Sequence, residues 1–211
     1  MTTRREALRL IGGGVTVSMA SLSGSAYAAG SAGLVVGVDG ACVAEAQGGQ
    51  RPLKLGQPVF VADTIVVPDG GRLKLRMDDG SMLSLASASR MVVADYRIDA
   101  AGQRQSAQFS LAQGLLRAVV AEVDHPAKFE VSTAVGVAAV RSTDWFIEAQ
   151  PGAAQVGVLS GSVSLASAAT GRSVTIPARW GTRLEAGRDP VMPRTWAPAE
   201  FAAVIARTEV K

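Results

Sequence analysis

Short apolar runs separated by turn residues dominate the chain from about residue 29 onward. In the clearest run, basic and apolar residues alternate one for one: Arg72, Leu73, Lys74, Leu75, Arg76 and Met77. This period-two pattern predicts a strand with one buried and one wet face. The segment Asp78–Ser81 follows, with Gly80 suited to positive φ, and predicts a tight turn. Because Leu83 and Leu85 resume the apolar face, we predict a hairpin over Arg72–Ala86.

The remaining runs recur about every 8–12 residues, which is typical of an all-β domain. Helical spacing appears only near the end of the chain. There Pro198 suits a first helical position, and Phe201, Val204, Ile205 and Thr208 follow a helical period. We therefore predict a β body over residues 29–192 and, over residues 193–211, a segment whose amphipathic helix covers one end of that body.

Residues 1–28 have the character of a targeting segment. Arg4 and Arg5 resemble a twin-arginine export signal, and the apolar run Leu10–Leu22 is shorter than the roughly 20 residues of a membrane span. Ala26 and Ala28 suit a small-x-small cleavage site, with the cut after Ala28. We expect export to the periplasm or beyond, with no membrane span in the mature chain. The alternatives are an uncleaved anchor or a cytoplasmic amphipathic end.

Charge and cysteine content narrow the function classes. The net charge of the 211 residues is +3, and Arg4, Arg5 and Arg9 against Glu6 contribute +2 of it, so the body is near neutral. A near-neutral body lacks the basic footprint of a nucleic-acid-binding protein. One cysteine, Cys42, excludes an intrachain disulfide, so the fold is expected to be held by packing alone.

Several segments, in this order, resemble the FecR domain family. They are Leu55-Gly56, Ala62–Ile65, Asp69–Leu75, Asp79–Leu85, Phe109–Arg117, Phe129–Thr133, Ala139–Ile147 and Val156–Val163. Together they extend over roughly Leu53 to Gly181. The resemblance implies a short β-solenoid or β-roll, with a β-sandwich as the alternative. It also implies a periplasmic, standalone member without the anti-sigma segment and membrane span found in the iron-uptake regulators of this family.

The same resemblance assigns structural roles to seven residues: Asp63, Gly70, Gly80, Gly114, Arg141, Thr143 and Gly161. Arg141 is expected to be half-buried and bonded to carbonyl groups of a neighbouring coil. In two places the chain departs from the family pattern, because Ala62 and Ser142 stand where glycine is usual. Both substitutions lead us to expect relaxed local turns.

Groups that commonly carry chemistry are present but isolated. The one histidine, His125, has Asp124 beside it but no cysteine or second histidine nearby, so a surface loop is favoured over a metal site. Asp78 and Asp79 are interpreted as turn residues rather than as an acid–base or calcium pair. Cys42 is interpreted as a small buried residue. No catalytic residue, metal ligand set or cofactor is assigned.

The outward residues of the predicted hairpin are the candidate binding residues. Arg72, Lys74 and Arg76 form a basic stripe that an acidic protein or an anionic envelope polymer could bind, and an ordinary solvated face is the alternative. We expect a non-enzymatic binding or regulatory module, with a role in signalling as one form of it. A structural module of an envelope or secretion assembly is the next alternative, followed by an envelope enzyme. The oligomeric state is left open.

Overall fold

The computed structural model describes residues 30–125 and 127–210, so the predicted export signal lies outside the described residues. In that part of the chain, the strands and the helix follow in this order: β1 (Ser31–Asp39), β2 (Val43–Ala46), β3 (Gly49–Pro52), β4 (Pro58–Phe60), β5 (Thr64–Val67), β6 (Arg72–Met77), β7 (Met82–Leu85), β8 (Ser89–Ile98), β9 (Arg104–Val119), β10 (Lys128–Ser132), β11 (Gly136–Val140), β12 (Asp144–Gln150), β13 (Ala153–Ser160), β14 (Ser162–Ser167), β15 (Ser173–Pro177), β16 (Trp180–Glu185), β17 (Arg194–Thr195) and α1 (Pro198–Thr208). No helix among the described residues is long and apolar enough to span a bilayer.

The strands form two sheets. Sheet A runs β4, β1, β6, β7, β9, β12, β13, β16 and β17. Sheet B runs β3, β2, β5, β8, β9, β10, β11, β14 and β15. Within the described residues only the β9–β10 pair is parallel. Short turns return the chain beside itself and so produce antiparallel pairs.

The predicted all-β class is confirmed. The stacked coils of a solenoid or roll are not observed in residues 30–125 and 127–210, because a stack of coils needs parallel neighbours and nearly every pair here is antiparallel. The arrangement corresponds to the alternative, a sandwich of two antiparallel sheets. One large cluster of buried apolar side chains lies between the sheets and takes members from both, such as Leu75 and Val156 from sheet A and Ile65 and Phe109 from sheet B.

The predicted hairpin is present. Strands β6 and β7 pair with Leu73 opposite Leu85 and Leu75 opposite Leu83, and all four side chains are at most 1% exposed. Gly80 in the connecting turn has φ +84°. The alternation of the sequence therefore indicated both the buried face and the register of this hairpin.

Strand β9 belongs to both sheets and changes sheet at Gly114. Its first part pairs with β8 and β10 in sheet B, and its last part pairs with β7 and β12 in sheet A. Gly114 has φ +94°, and a Cβ on it would overlap Ser89. Ser89 in turn accepts a hydrogen bond from the Leu115 N–H (3.1 Å). A glycine is needed because the chain bends where two backbones touch.

The C-terminal helix is present, but it lies on the outer face of sheet A rather than over an end of the body. Phe146 of β12, Trp196 and Phe201 form an aromatic group, with ring centroids 5.4 to 6.4 Å apart. Val204 of α1 joins the same cluster. The rings fit because two neighbouring residues are glycines without a side chain. A Cβ on Gly181 would overlap Trp196, and a Cβ on Gly157 would overlap Phe146.

The expectation of relaxed turns at the two non-glycine positions is wrong. Ala62 has φ +70° and Ser142 has φ +42°, so both keep the left-handed conformation that glycine would adopt at less cost. At Ala62 the turn is closed by the Asp63 N–H, which donates to the Phe60 carbonyl (3.2 Å). The surrounding pairing fixes the backbone, whatever residue occupies the position.

Candidate functional site

The basic stripe, Arg72, Lys74 and Arg76, lies on the outer face of sheet A, opposite the buried face of β6. Strand β6 is an interior strand with β1 on one side and β7 on the other. Its cations therefore do not protect a sheet edge, which removes one structural explanation for their charge. They stand on a rigid strand, which is a suitable support for a binding surface.

Arg72 is engaged within the chain. Its Nη1 lies 3.3 Å from Asp39 Oδ2, and its Nε donates to the carbonyl oxygen of Arg207 in the last turn of α1 (3.2 Å). A cation beside the last carbonyls of a helix satisfies an otherwise unpaired acceptor and complements the helix dipole. The three residues of the basic stripe therefore do not share one role, because the Arg72 side chain binds the C-terminal end of α1.

Lys74 and Arg76 form no ion pair with any residue in the described part of the chain. Arg76 lies opposite Leu34 of β1 and Met82 of β7, and Met82 lies opposite Val119 of β9. Leu34 and Met82 are partly buried, and Val119 is 43% exposed. We call Leu34, Lys74, Arg76, Met82 and Val119 the docking face.

Asp79 does more than form a turn. It accepts from the Ser81 N–H (3.0 Å), as a turn residue would, but its carboxylate is fully buried in an ion pair with Arg104 of β9. Arg104 also donates to the Ala121 carbonyl (3.2 Å) and lies 5.4 Å from the Phe129 ring centroid. Neither a catalytic acid nor an exposed calcium ligand fits a carboxylate so engaged. Sequence reasoning missed Arg104, whose partner is 25 positions away.

Tyr96 closes the other side of the same turn. Its hydroxyl oxygen accepts a hydrogen bond from the Asp79 N–H (2.8 Å). Burial, together with the neighbouring Asp79 carboxylate, raises the pKa of Tyr96 well above its ordinary value. The phenol is therefore neutral at physiological pH and acts as a fixed hydrogen-bonding group.

Cys42 is buried, as expected, and 1% exposed. Burial first, and the Asp39 charge second, raise the pKa of the Cys42 thiol to about 11. A thiol with that pKa carries almost no thiolate near pH 7 and is not an activated nucleophile.

His125 lies at a half-exposed loop position, 3.3 Å from Gln105 Nε2 and 3.9 Å from Asp99 Oδ2. Hydrogen bonds from the Gln103 N–H, the Ala101 N–H and the Gln105 amide lower the pKa of Asp99, with a smaller effect from His125. Within residues 30–125 and 127–210, no three histidine, cysteine or acidic side chains are grouped as metal ligands.

Asp63 and Thr143, two residues that the resemblance marks as structural, are buried and hydrogen-bonded. Asp63 is 2% exposed, accepts from the Phe60 N–H (2.8 Å) and pairs with Arg51. The Thr143 hydroxyl lies 2.7 Å from the Arg141 carbonyl and 3.1 Å from the Ser162 carbonyl. Both side chains join a turn to a neighbouring segment.

Gly70 and Gly161 both have positive φ, at +75° and +82°. The Gly70 N–H donates to Ser87 Oγ (2.8 Å), so this turn is tied to the residues just after β7. A Cβ on Gly161 would lie 2.8 Å from Thr143 Oγ1, too close for an ordinary contact.

Arg141 does not occupy the half-buried position expected for it. Its side chain is exposed and lines a cleft of about 310 Å³ together with Glu122, Ser142 and Ser162. Strand β11 ends at Val140, and Arg141 begins the following turn.

Residues 63–164 match the profile of the family described as FecR protein. No curated protein matches the chain. The fold is similar to two crystal structures of a proposed anti-sigma factor from Parabacteroides distasonis ATCC 8503. One has a TM-score of 0.56 at 13% identity and covers 67% of this chain and 64% of its own. The other has a TM-score of 0.55 at 14% identity, with 67% and 63% covered.

At these identities the likeness concerns the fold, and this chain spans slightly less than two thirds of the length of those proteins. The profile match begins at Asp63 and ends at Ser164, so it contains the hairpin, the sheet-changing strand β9 and the Arg141–Thr143 turn. The resemblance seen in the sequence is confirmed, and the chain carries a FecR domain at residues 63–164.

Proposed function

We propose that this protein is a non-enzymatic regulatory module of the cell envelope that binds an acidic protein partner through its docking face. The observation that carries the proposal is the composition of that face. Lys74 and Arg76, which have no counter-charge among the described residues, stand beside the partly exposed apolar side chains of Met82 and Val119. Cations interleaved with apolar groups suit a partner segment that is both acidic and apolar.

A regulatory role is supported by the FecR domain and by structural similarity to a proposed anti-sigma factor. The state of the reactive groups supports binding rather than catalysis. Cys42 holds its proton at neutral pH, and the Asp79 carboxylate is committed to Arg104. A catalytic site instead needs titratable groups that are adjusted to the working pH and reach the substrate.

The domain boundaries and the cellular location in this proposal are those predicted from the sequence. Residues 1–28 direct export by the twin-arginine route, residues 29–192 form the β body apart from its last strand, and residues 193–211 form the segment that carries β17 and α1. The partner, or an anionic envelope polymer in its place, meets the docking face in the periplasm. Because Arg72 supports α1, the binding charge is assigned to Lys74 and Arg76 alone.

Site-specific cross-linking tests this proposal. A photo-reactive amino acid at Met82 should capture one envelope protein, which mass spectrometry identifies. Lys74→Glu with Arg76→Glu should lower the cross-linked yield at least tenfold, because like charges across an interface repel. The matched control, Lys54→Glu with Arg179→Glu, makes the same charge change of −4 at exposed positions elsewhere and should leave the yield unchanged. An equal loss of cross-linked yield in both double variants, or no loss in either, would show that the docking face does not bind the partner.

A further inference from the structure

The two sheets have four edge strands among the described residues, and three of them are poor templates for another strand. Strand β4 has three residues and begins with Pro58, β17 has two residues, and β3 carries Arg51 and ends with Pro52. Short length, charge and proline are the features that natural edges use to block pairing.

The fourth edge, β15, lacks most of this protection. It has five residues, Ser-Val-Thr-Ile-Pro, with no charged side chain, and it pairs only with β14 in the described part of the chain. Thr175 at its centre is exposed, and Ile176 is fully buried on the inner side. An uncharged, alternating edge of this kind is open to a further strand.

The direction of the β15 backbone groups follows from one hydrogen bond at the end of the ladder. The Ser167 N–H of β14 donates to the Arg172 carbonyl (2.9 Å), so Arg172 faces β14. Successive residues of a strand direct their backbone groups to opposite sides. Val174 and Ile176 therefore also bond to β14, while Ser173, Thr175 and Pro177 direct their backbone groups outward.

We propose that this edge joins a second copy of the chain, through antiparallel pairing of two β15 strands about a two-fold axis at Thr175. The two Thr175 residues then exchange two N–H···O bonds. Each Ser173 N–H donates to the Pro177 carbonyl of the other copy, which adds two more. Pro177 has no backbone N–H to donate. Because it lies at the end of the paired segment, the missing donor weakens the pairing little.

The side chains are compatible with the same axis. Thr175 lies opposite Thr175, and Val174 lies opposite Ile176 of the other copy. Pairs of β-branched residues and threonine pairs are favourable across antiparallel strands, and a strand without charge brings no like charges together at the axis. The result extends sheet B into one continuous sheet across two molecules. This surface is on sheet B, and the inference does not rest on the docking face of sheet A.

Sedimentation velocity tests the dimer over a concentration series up to about 1 mM, the range in which weak complexes dissociate. The unaltered protein should self-associate. Thr175→Lys should raise the dissociation constant at least tenfold, because the axis places the two lysines opposite each other. The matched control is Ser164→Lys, an equally exposed position opposite Thr175 on the interior strand β14, and it should dimerise normally.

A charge-pairing experiment identifies the interface. Thr175→Asp alone should be as monomeric as Thr175→Lys, whereas an equimolar mixture of the two variants should restore dimers. A monomeric unaltered protein at 1 mM, an equal effect of Ser164→Lys, or no recovery in the mixture would overturn the proposal. Capture of an unrelated strand by a monomeric protein would assign the edge to a different partner and overturn it as well.

Discussion

Four non-glycine residues in the described chain have positive φ: Ala62, Ala88, Ser142 and Arg179. Each of them costs about 1–2 kcal/mol relative to a residue that accepts this conformation freely. Two of them stand where the FecR family usually has glycine. The fold tolerates this cost because the turns are held by backbone bonds on both sides, such as that from the Ala62 N–H to the Val93 carbonyl (2.8 Å).

Replacing Ala62 by glycine should therefore stabilise the protein. Relief of the left-handed strain contributes about 1–2 kcal/mol, and the greater freedom of glycine in the unfolded chain offsets about 0.4–1 kcal/mol of it. The net gain expected for Ala62→Gly is about 0.5–1 kcal/mol in urea unfolding. Ala101→Gly, at an exposed position whose φ is not positive, should instead be neutral or destabilising. A lower free energy of unfolding for Ala62→Gly would contradict the claim that the backbone is strained at Ala62.

The helix α1 depends on the sheet beneath it. Eleven residues form a marginal helix in isolation, so its stability comes from packing. Trp196 and Phe201 rest on Phe146, and Arg207 pairs with Glu148 of β12 at 2.6 Å. At the start of the helix, two hydrogen bonds lower the pKa of Glu200. The larger effect comes from the Arg194 side chain, and the next from the Ala197 N–H. Contacts at both ends fix the helix to sheet A.

Gly181→Ala should detach this helix without unfolding the sandwich. The added methyl group would overlap the Trp196 ring, and such overpacking typically costs about 1–3 kcal/mol. Hydrogen exchange should show faster exchange of the α1 amides, with the strands of sheet B unchanged. Gly48→Ala is the control, because a Cβ there meets no atom within 4 Å. Equal protection of α1 in both variants would mean that Trp196 does not anchor the helix.

The whole sandwich forms one packed unit. A single cluster of buried side chains extends through both sheets, and β9 carries the chain from one sheet to the other. Neither sheet has an apolar face that it could bury alone, so neither should survive without the other.

Global unfolding should consequently be a single transition. Amides of Ile147 in sheet A and Val131 in sheet B, both buried, should exchange at the same free energy of opening, of the order of 5–15 kcal/mol. Native-state hydrogen exchange in low urea measures both. Two distinct opening energies for these two strands would show that the sheets unfold as separate units.

Local features were predictable because they are encoded within a few residues. The alternation in Arg72–Met77 and the glycine after Asp79 were sufficient for the hairpin, its buried face and the positive φ of Gly80. The spacing of Phe201, Val204 and Thr208 was sufficient for the helix, because one turn brings such residues to one side. The all-β class followed from the regular spacing of turns.

Long-range features were decided only by the tertiary structure. Each sheet's strand order, the parallel β9–β10 pair, the Asp79–Arg104 ion pair and the bond from Arg72 to a carbonyl 135 positions away join segments that no local period relates. The strand pairing around Ala62 also decided that this residue keeps a left-handed backbone conformation, although alanine favours the right-handed one. Sequence patterns report the preferences of neighbouring residues, whereas these contacts follow from the close packing of two sheets, which selects one arrangement of the whole chain.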